Sequence, residues 1–442
     1  MFTNQALKKL LVPLVIEQIL VMMVSVADTM MISYAGEAAI SGVALVAMID
    51  YLVLTIFSAL ATGGAVIVSQ YLGRKDRDKA NLSAGQLMIV SALVSAAGMI
   101  LCLVLHTGIL TLLFGKIETD VMEAAETYFI IVACSFPFLG IYQASAALFR
   151  SMQKTNITMY VSAAMNIMNV IGNAIGTFGL HAGVAGVAVS TLVARAFAAI
   201  LLTAFLFSSK REVCLSAHSV FSWHSEFQKR ILRIALPNSI ENGLFALGRV
   251  LVTGIVALFG TAQIAANGVA NSIDQIPIIV VNAVNLAMIT VVGQCIGAGK
   301  QEQAKAYTKK LMKLSYLATT VLGVAVCALL PVILGLYELS PEAYRYSCIL
   351  IVMHNILAAL LHPTSFNLAN SLRASGDVRF TMYVGIGSML LFRLGSALLF
   401  GVILQMGVIG VWIAMGADWT ARSAAFVLRY RSGKWKQFNA IK

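Results

Sequence analysis

Residues 13–36 read "PLVIEQILVMMVSVADTMMISYAG", and residues 237–260 read "PNSIENGLFALGRVLVTGIVALFG". Slid by 224 residues, the first stretch overlies the second: Pro13 falls on Pro237, Glu17 on Glu241 and Gly36 on Gly260. The register continues without a gap, placing Asp50 on Asp274, Gln70 on Gln294, Gly73 on Gly297 and Ala80 on Ala304. Positions 9–80 hold 16 identities in 72. Shared apolar composition does not by itself align Pro, Glu, Asp and Gln together. Further on, "GVAGV" at 183–187 falls on "GVIGV" at 407–411 with the same offset. The chain is therefore a duplication.

Both quoted stretches are long and apolar enough to cross a bilayer, which takes about 20 residues of helix. The whole chain agrees. Of its 442 residues, 59% are hydrophobic and 11% charged, and the mean hydropathy is +0.87. A soluble protein carries about 25% charged residues. Twelve helical spans are predicted, at 10–34, 41–71, 84–113, 121–148, 156–178, 184–207, 231–259, 265–295, 314–336, 346–371, 380–404 and 408–430. The expected fold is an all-α membrane protein of two six-helix bundles. Six is even, so both halves enter the membrane from the same side. They are then related by a pseudo-twofold axis along the membrane normal.

Charge sets the orientation. Of 31 Lys and Arg residues, 26 lie at the termini or in the loops on the side of the termini, among them Arg74, Lys75, Arg77, Lys79 and Lys300. Two, Lys116 and Arg345, fall on the opposite side, and Arg195, Arg249 and Arg393 sit inside helices. Positive loops stay in the cytoplasm, so both termini are expected there, in a multi-pass protein of the cell's inner (plasma) membrane. The +12 net charge then lies against an anionic leaflet and does not call for nucleic acid. Expected boundaries are a first lobe at 1–215, a cytoplasmic connector at 216–224 within the polar stretch 208–230, and a second lobe at 225–442. Lys8 and Lys9 precede a run too long for a signal peptide, so the first helix is expected to be retained.

Carboxylates inside spans are costly and are rarely lipid-facing. Glu17 and Asp28 are eleven residues apart, close to three turns, so they share a stripe about 16 Å long. Asn166, Asn169 and Asn173 share a face of the fifth helix. Asn173 and Thr191 of the sixth helix lie at depths like that of Asp28, so the four groups Asp28, Asn169, Asn173 and Thr191 can converge. They offer a site where Asp28 binds H⁺ or Na⁺; the alternative use is a polar network that only fixes helix packing. Glu17 and Glu241 are candidates for contact with a cationic substrate. Asn282 and Asn285 are candidates for lining a substrate cleft. Arg249 and Asp274 lie at similar depth and are expected to form a structural ion pair. The counterpart of Arg249 is Ser25, which leaves the partner of Asp50 open.

Several motifs fail. "GQCIGAGK" at 293–300 lacks P-loop spacing and is followed by Gln301, so no nucleotide site is expected. Neither H-E-x-x-H nor G-x-S-x-G occurs, and the six cysteines show no C-x-x-C pair. No enzyme, cofactor or structural metal is expected. Energy must then come from an ion gradient or from the substrate's own.

The chain resembles the multidrug and toxic compound extrusion family, in its bacterial branch. The resemblance rests on "VADTMMISYAGEAAISGVAL" (26–45), "SQYLGRKDRDKA" (69–80), "GVAGVAVSTLVAR" (183–195), "FGTAQIAANGVANSI" (259–273), "VVGQCIGAGKQEQA" (291–304) and "SLRASGD" (371–377). It covers nearly the whole chain. It implies antiport of H⁺ or Na⁺ against amphipathic, usually cationic, small organic molecules, by alternating access, in a lipid-embedded monomer. The family's first-helix acid corresponds to Asp28, its fifth-helix pair to Asn169 and Asn173, and its sixth-helix threonine to Thr191. The family's second fifth-helix position is Asn or Asp; here it is Asn173, which removes a charge. The tenth helix carries no acid, which favours the first lobe as the coupling site. A rival reading is a lipid-linked saccharide flippase of related architecture. That reading needs Arg195, Arg249 and Arg393 to converge on a cavity.

Overall fold

The computed structural model describes residues 2–33, 36–115, 118–208, 211–216, 219–220, 222–337 and 339–441. Helix occupies each of the twelve predicted spans, and no strand occurs among the described residues. In the first half these are α1 (Asn4–Ser33), α2 (Glu37–Arg74), α3 (Arg77–Phe114), α4 (Thr119–Cys134), α5 (Phe136–Ser151), α6 (Thr155–Ala174) and α7 (Gly183–Leu206). In the second they are α8 (Ser225–Val256), α9 (Thr261–Ile273), α10 (Gln275–Gly297), α11 (Gln301–Ala328), α12 (Leu330–Leu334), α13 (Pro341–Ser375), α14 (Val378–Gly387) and α15 (Gly407–Arg431). Among the described residues eight helices are long and apolar enough to cross a membrane, nine when α4 and α5, bent by 47°, are taken together as one span. Helices α1, α6 and α15 fill the remaining three predicted positions. Their polar load is higher: Glu17 and Asp28 in α1, three asparagines on one face of α6, Asp418 and Arg422 in α15.

Local chemistry explains the breaks. Gly36 and Gly260, counterparts in the repeat, have φ of +98° and +89°, a region where a side chain is strained. The α4–α5 bend falls at Ser135, just before Pro137, whose ring cannot continue a regular helix. Asp76 caps α3 by accepting from the Lys79 amide at 3.2 Å, and Ser340 caps α13 by accepting from Ala343 at 3.2 Å.

Contacts divide the chain into a unit of residues 2–239 and a unit of residues 240–440. The division falls inside α8 and not at the expected connector 216–224. The connector is held by the first unit. Gln86 of α3 donates to the Ser222 carbonyl at 2.7 Å and accepts from the His224 amide at 3.2 Å and from Gln228 at 2.8 Å. Asn238, at the start of the seventh span, donates to the Ala59 carbonyl at 2.7 Å. The first unit is packed around Val46, Ile49, Phe57, Leu110, Phe129 and Phe136. The second is packed around Ile273, Leu350, Val408, Trp412 and Trp419.

The fifth and eleventh spans do not stay α-helical. Ile175–Gly179, after α6, is a π-helix, as are Ser388–Gly395 and Ala397–Ile403 after α14. Next to the first of these, α6 and α7 run backbone to backbone. A Cβ on Gly186 would lie 2.8 Å from the Gly176 Cα. At the repeat-related place, a Cβ on Gly410 would lie 2.6 Å from the Phe400 carbonyl carbon. Gly186→Val is expected to push α6 from α7 and to cost about 1–3 kcal/mol, read as a lower melting temperature of the purified protein. An unchanged melting temperature would show that the two helices do not need this approach.

Candidate functional site

Helix α6 presents its asparagine face to α1 and α7, and the site follows from that packing. Asn173 Nδ2 donates to Asp28 Oδ1 at 2.7 Å and approaches Asn169 Oδ1 at 3.4 Å. Asn169 Nδ2 donates to Thr191 Oγ1 at 3.2 Å. Thr191 in turn donates to the Val187 carbonyl at 3.2 Å, and Ser190 fastens the Asn169 carbonyl at 2.8 Å. The structure therefore brings Asp28, Asn169, Asn173 and Thr191 into one hydrogen-bonded chain. Asn173 Oδ1 is buried and receives no donor. The cluster thus offers carboxylate, amide and hydroxyl oxygens, the donor set that suits a hard cation, and one of these oxygens is left unsatisfied.

Tyr128 of α4 belongs to the same region. It hydrogen bonds Thr191 and lies within electrostatic reach of both Asp28 and the Asp50–Arg195 pair. No repeat position or spacing singled it out.

The remaining acids are paired. Asp50 is held by Arg195 through two bonds, Nη1–Oδ1 at 2.9 Å and Nη2–Oδ2 at 2.6 Å, and Arg195 also donates to Ser135 at 2.8 Å. This answers the question that the sequence left open for Asp50. Glu17 receives Arg150 at 2.8 Å and Thr158 at 3.2 Å. Glu241 receives Arg373 at 2.6 Å. Glu17 and Glu241 are 4% and 3% exposed. That corrects the expectation of two acids open to a cationic substrate: each is covered and neutralised by an arginine from another helix.

The expected Arg249–Asp274 pair is also corrected. Asp274 stands against His354 of α13, with Oδ1 and Nδ1 3.1 Å apart. Similar depth counted along the sequence does not say which side chains meet. Asp274 sits at the α9–α10 break, and α9 packs on α13. Asn285 does not stand alone as a lining residue. Its Oδ1 accepts from Asn367 and Asn370 at 2.8 Å each, and Arg373 bonds Asn370 at 2.8 Å. Asn282 is half-buried on the same helix and makes no such bond. Among the described residues no cluster of His, Cys, Asp and Glu suits a metal ion.

The chain matches the MatE family over residues 13–175 and again over residues 237–399. It belongs to the MatE family. The two matched segments are offset by the same 224 residues as the repeat. Among its relatives, the uncharacterized transporter YisQ of Bacillus subtilis is 30% identical over 440 residues, covering 96% of this chain and 93% of that one. The probable multidrug resistance protein NorM of Thermotoga maritima is 25% identical, covering 98% and 93%. A solved outward-facing multidrug resistance MATE family transporter of the MOP superfamily superposes with a TM-score of 0.90 at 18% identity. It covers 98% of this chain and 96% of that one, and supports the fold alone. A MatE family chain is a multi-pass membrane transporter, and the two-lobe, all-helical architecture is that of its structural neighbours.

Proposed function

We propose that this MatE family protein is a secondary antiporter that exports amphipathic organic cations across the inner (plasma) membrane in exchange for H⁺ or Na⁺. The coupling ion binds at Asp28, with Asn169, Asn173 and Thr191 around it. The observation that carries this reading is the Asp28–Asn173 contact in the membrane-spanning part of the first unit. Every other intramembrane acid named above has a cationic partner or a histidine. Among the described residues no cation pairs with Asp28, whose hydrogen-bond partner is the Asn173 amide, so the carboxyl group is open to an ion that comes and goes. Both termini face the cytoplasm in this reading, and the chain works as a monomer. Coupling requires the ion to favour one access state over the other, because a ligand shifts an equilibrium only through differential affinity.

The flippase alternative loses support. Arg195 is neutralised by Asp50 and adds no free charge for a pyrophosphate.

The test is transport by purified protein in liposomes loaded with rhodamine 6G. A pH gradient and a Na⁺ gradient are imposed separately, with the membrane potential clamped. Uphill movement of the dye under one gradient is expected and names the ion. Movement that only follows the dye's own gradient would overturn antiport.

A further inference from the structure

In the second unit Glu241, Asp377 and Asp418 each meet an arginine, and Asp274 meets His354. The Arg393 side chain makes no hydrogen bond among the described residues, and no carboxylate among them lies within ion-pair distance of it. Its Nε is fully buried without an acceptor, while the residue as a whole is half-buried. An unpaired cation in a membrane-spanning segment is costly, and such residues mark binding sites.

Its surroundings do not neutralise it. The charged groups near Arg393 are Arg249 on α8, and Asp418 and Arg422 on α15. Asp418 is already engaged: its Oδ1 accepts from Ser388 at 2.5 Å and from Arg422 Nε at 3.0 Å. Asp418 Oδ2 is buried and receives no donor, so Arg393 does not reach it. Arg422 also donates to the Gly385 carbonyl at 3.0 Å and lies 4.7 Å over the Phe245 ring. Arg249 and Arg422 thus add positive charge near Arg393, and the one carboxylate nearby is already held by Arg422 and Ser388.

Backbone and repeat add two independent observations. Arg393 sits in the π-helix Ser388–Gly395, and such local distortions within helices are frequent at functional sites. In the 224-residue register, Arg393 is the counterpart of Asn169, Val252 of Asp28, Ala397 of Asn173 and Met415 of Thr191. Where the first lobe assembles an acid with amides, the second lobe has Val252 in place of the acid and the cation Arg393 in place of an amide.

We infer that Arg393 is the anchor of an anion-binding subsite in the second lobe, which takes the carboxylate, sulfonate or phosphate of an exported amphiphile. The inference rests on the export reading and deepens it: the transported class includes molecules that carry an anionic group beside a cationic or aromatic body. Arg393 supplies the charge-assisted bonds, Arg249 and Arg422 raise the local positive potential, and Phe245 and Phe366 offer ring surface.

The test uses purified full-length protein in detergent and two matched dyes, rhodamine 6G and its free acid rhodamine 19. The first is a cation and the second a zwitterion. Fluorescence anisotropy gives Kd for wild type, Arg393→Gln and Arg393→Lys. Rhodamine 19 is expected to bind Arg393→Gln about tenfold to a hundredfold more weakly than wild type. Arg393→Lys is expected to recover part of that, and rhodamine 6G to be unaffected or favoured by the loss of charge. In the absence of dye, Arg393→Gln is expected to melt at the same temperature as wild type or higher, since it removes an unpaired buried charge.

Equal weakening of both dyes, no binding of rhodamine 19 to wild type, or a lower melting temperature of Arg393→Gln would overturn the subsite. Displacement of rhodamine 19 by phosphatidylglycerol but not by phosphatidylcholine would give the site to a lipid headgroup and overturn its assignment to substrate. Failure of gradient-driven export with Arg393-dependent binding of rhodamine 19 intact would sink the antiport reading alone.

Discussion

Asp28→Asn is expected to lower gradient-driven export of rhodamine 6G from liposomes by about tenfold or more, with the protein still folded. The substitution keeps the shape of the side chain, and an amide oxygen can still accept from Asn173, whose donor now lies 2.7 Å from Asp28 Oδ1. The helix contacts made by α1 are therefore retained. The negative charge is lost, and with it the strong hold on a cation, since hydrogen bonds and contacts to charged groups are worth roughly 1.5–3 kcal/mol against about 1 kcal/mol for neutral ones. Without an ion bound and released there, the imposed gradient has nothing to act on. Asp28→Glu keeps the charge but displaces it, and an intermediate rate is expected. The measurement is the initial rate of dye movement under the effective gradient, alongside the melting temperature of each variant. Gradient-dependent export by Asp28→Asn at the wild-type rate would show that the coupling ion binds elsewhere.

Arg195→Met is expected to be strongly destabilising. It leaves Asp50, whose side chain is 21% exposed, without either of its two arginine bonds. Removing one partner of a buried pair costs about 3–5 kcal/mol, because the charge left behind stays desolvated. A loss of this size is a large part of the 5–15 kcal/mol that holds a typical protein folded. The purified variant should give little monodisperse material. The double variant Asp50→Asn with Arg195→Met removes both charges and should recover most of the yield and melting temperature. If the double variant is no better than the single one, the loss lies in packing and not in the stranded carboxylate.

The repeat made the helical architecture readable before any coordinates. Pro13 with Pro237 and Asp50 with Asp274 fix the register of the two halves, and positive loops divide the two faces. The Asp28 cluster was readable too, because Asn166, Asn169 and Asn173 recur at helical spacing and depth can be counted from the turns. Ion-pair partners were not readable. Arg195 lies 145 residues from Asp50, and only the packing of α7 beside α2 brings them together. Arg249 and Asp274 were matched by depth counted from the turns, and Asp274 stands against His354 instead, since such counting says nothing of rotation about a helix axis. Glu17 and Glu241 look like open acids for the same reason: Arg150 and Arg373 close over them from helices that sequence alone does not place. Tyr128 carries no signal at all, being one aromatic residue in an apolar run.

The π-helical turns also record ancestry. Ile175–Gly179 and its 224-residue counterpart, which falls within Ala397–Ile403, are wound in the same way. A π turn holds an extra residue relative to the regular helix around it. Two such turns in one register, with no gap between the halves, place that residue in the single six-helix gene that was later doubled. The turn at Ser388–Gly395 has no partner, because the matching stretch of the first half is ordinary α-helix. The two halves therefore differ at this helix: the second carries a further stretch of wide winding, and a charge where the first has Asn169.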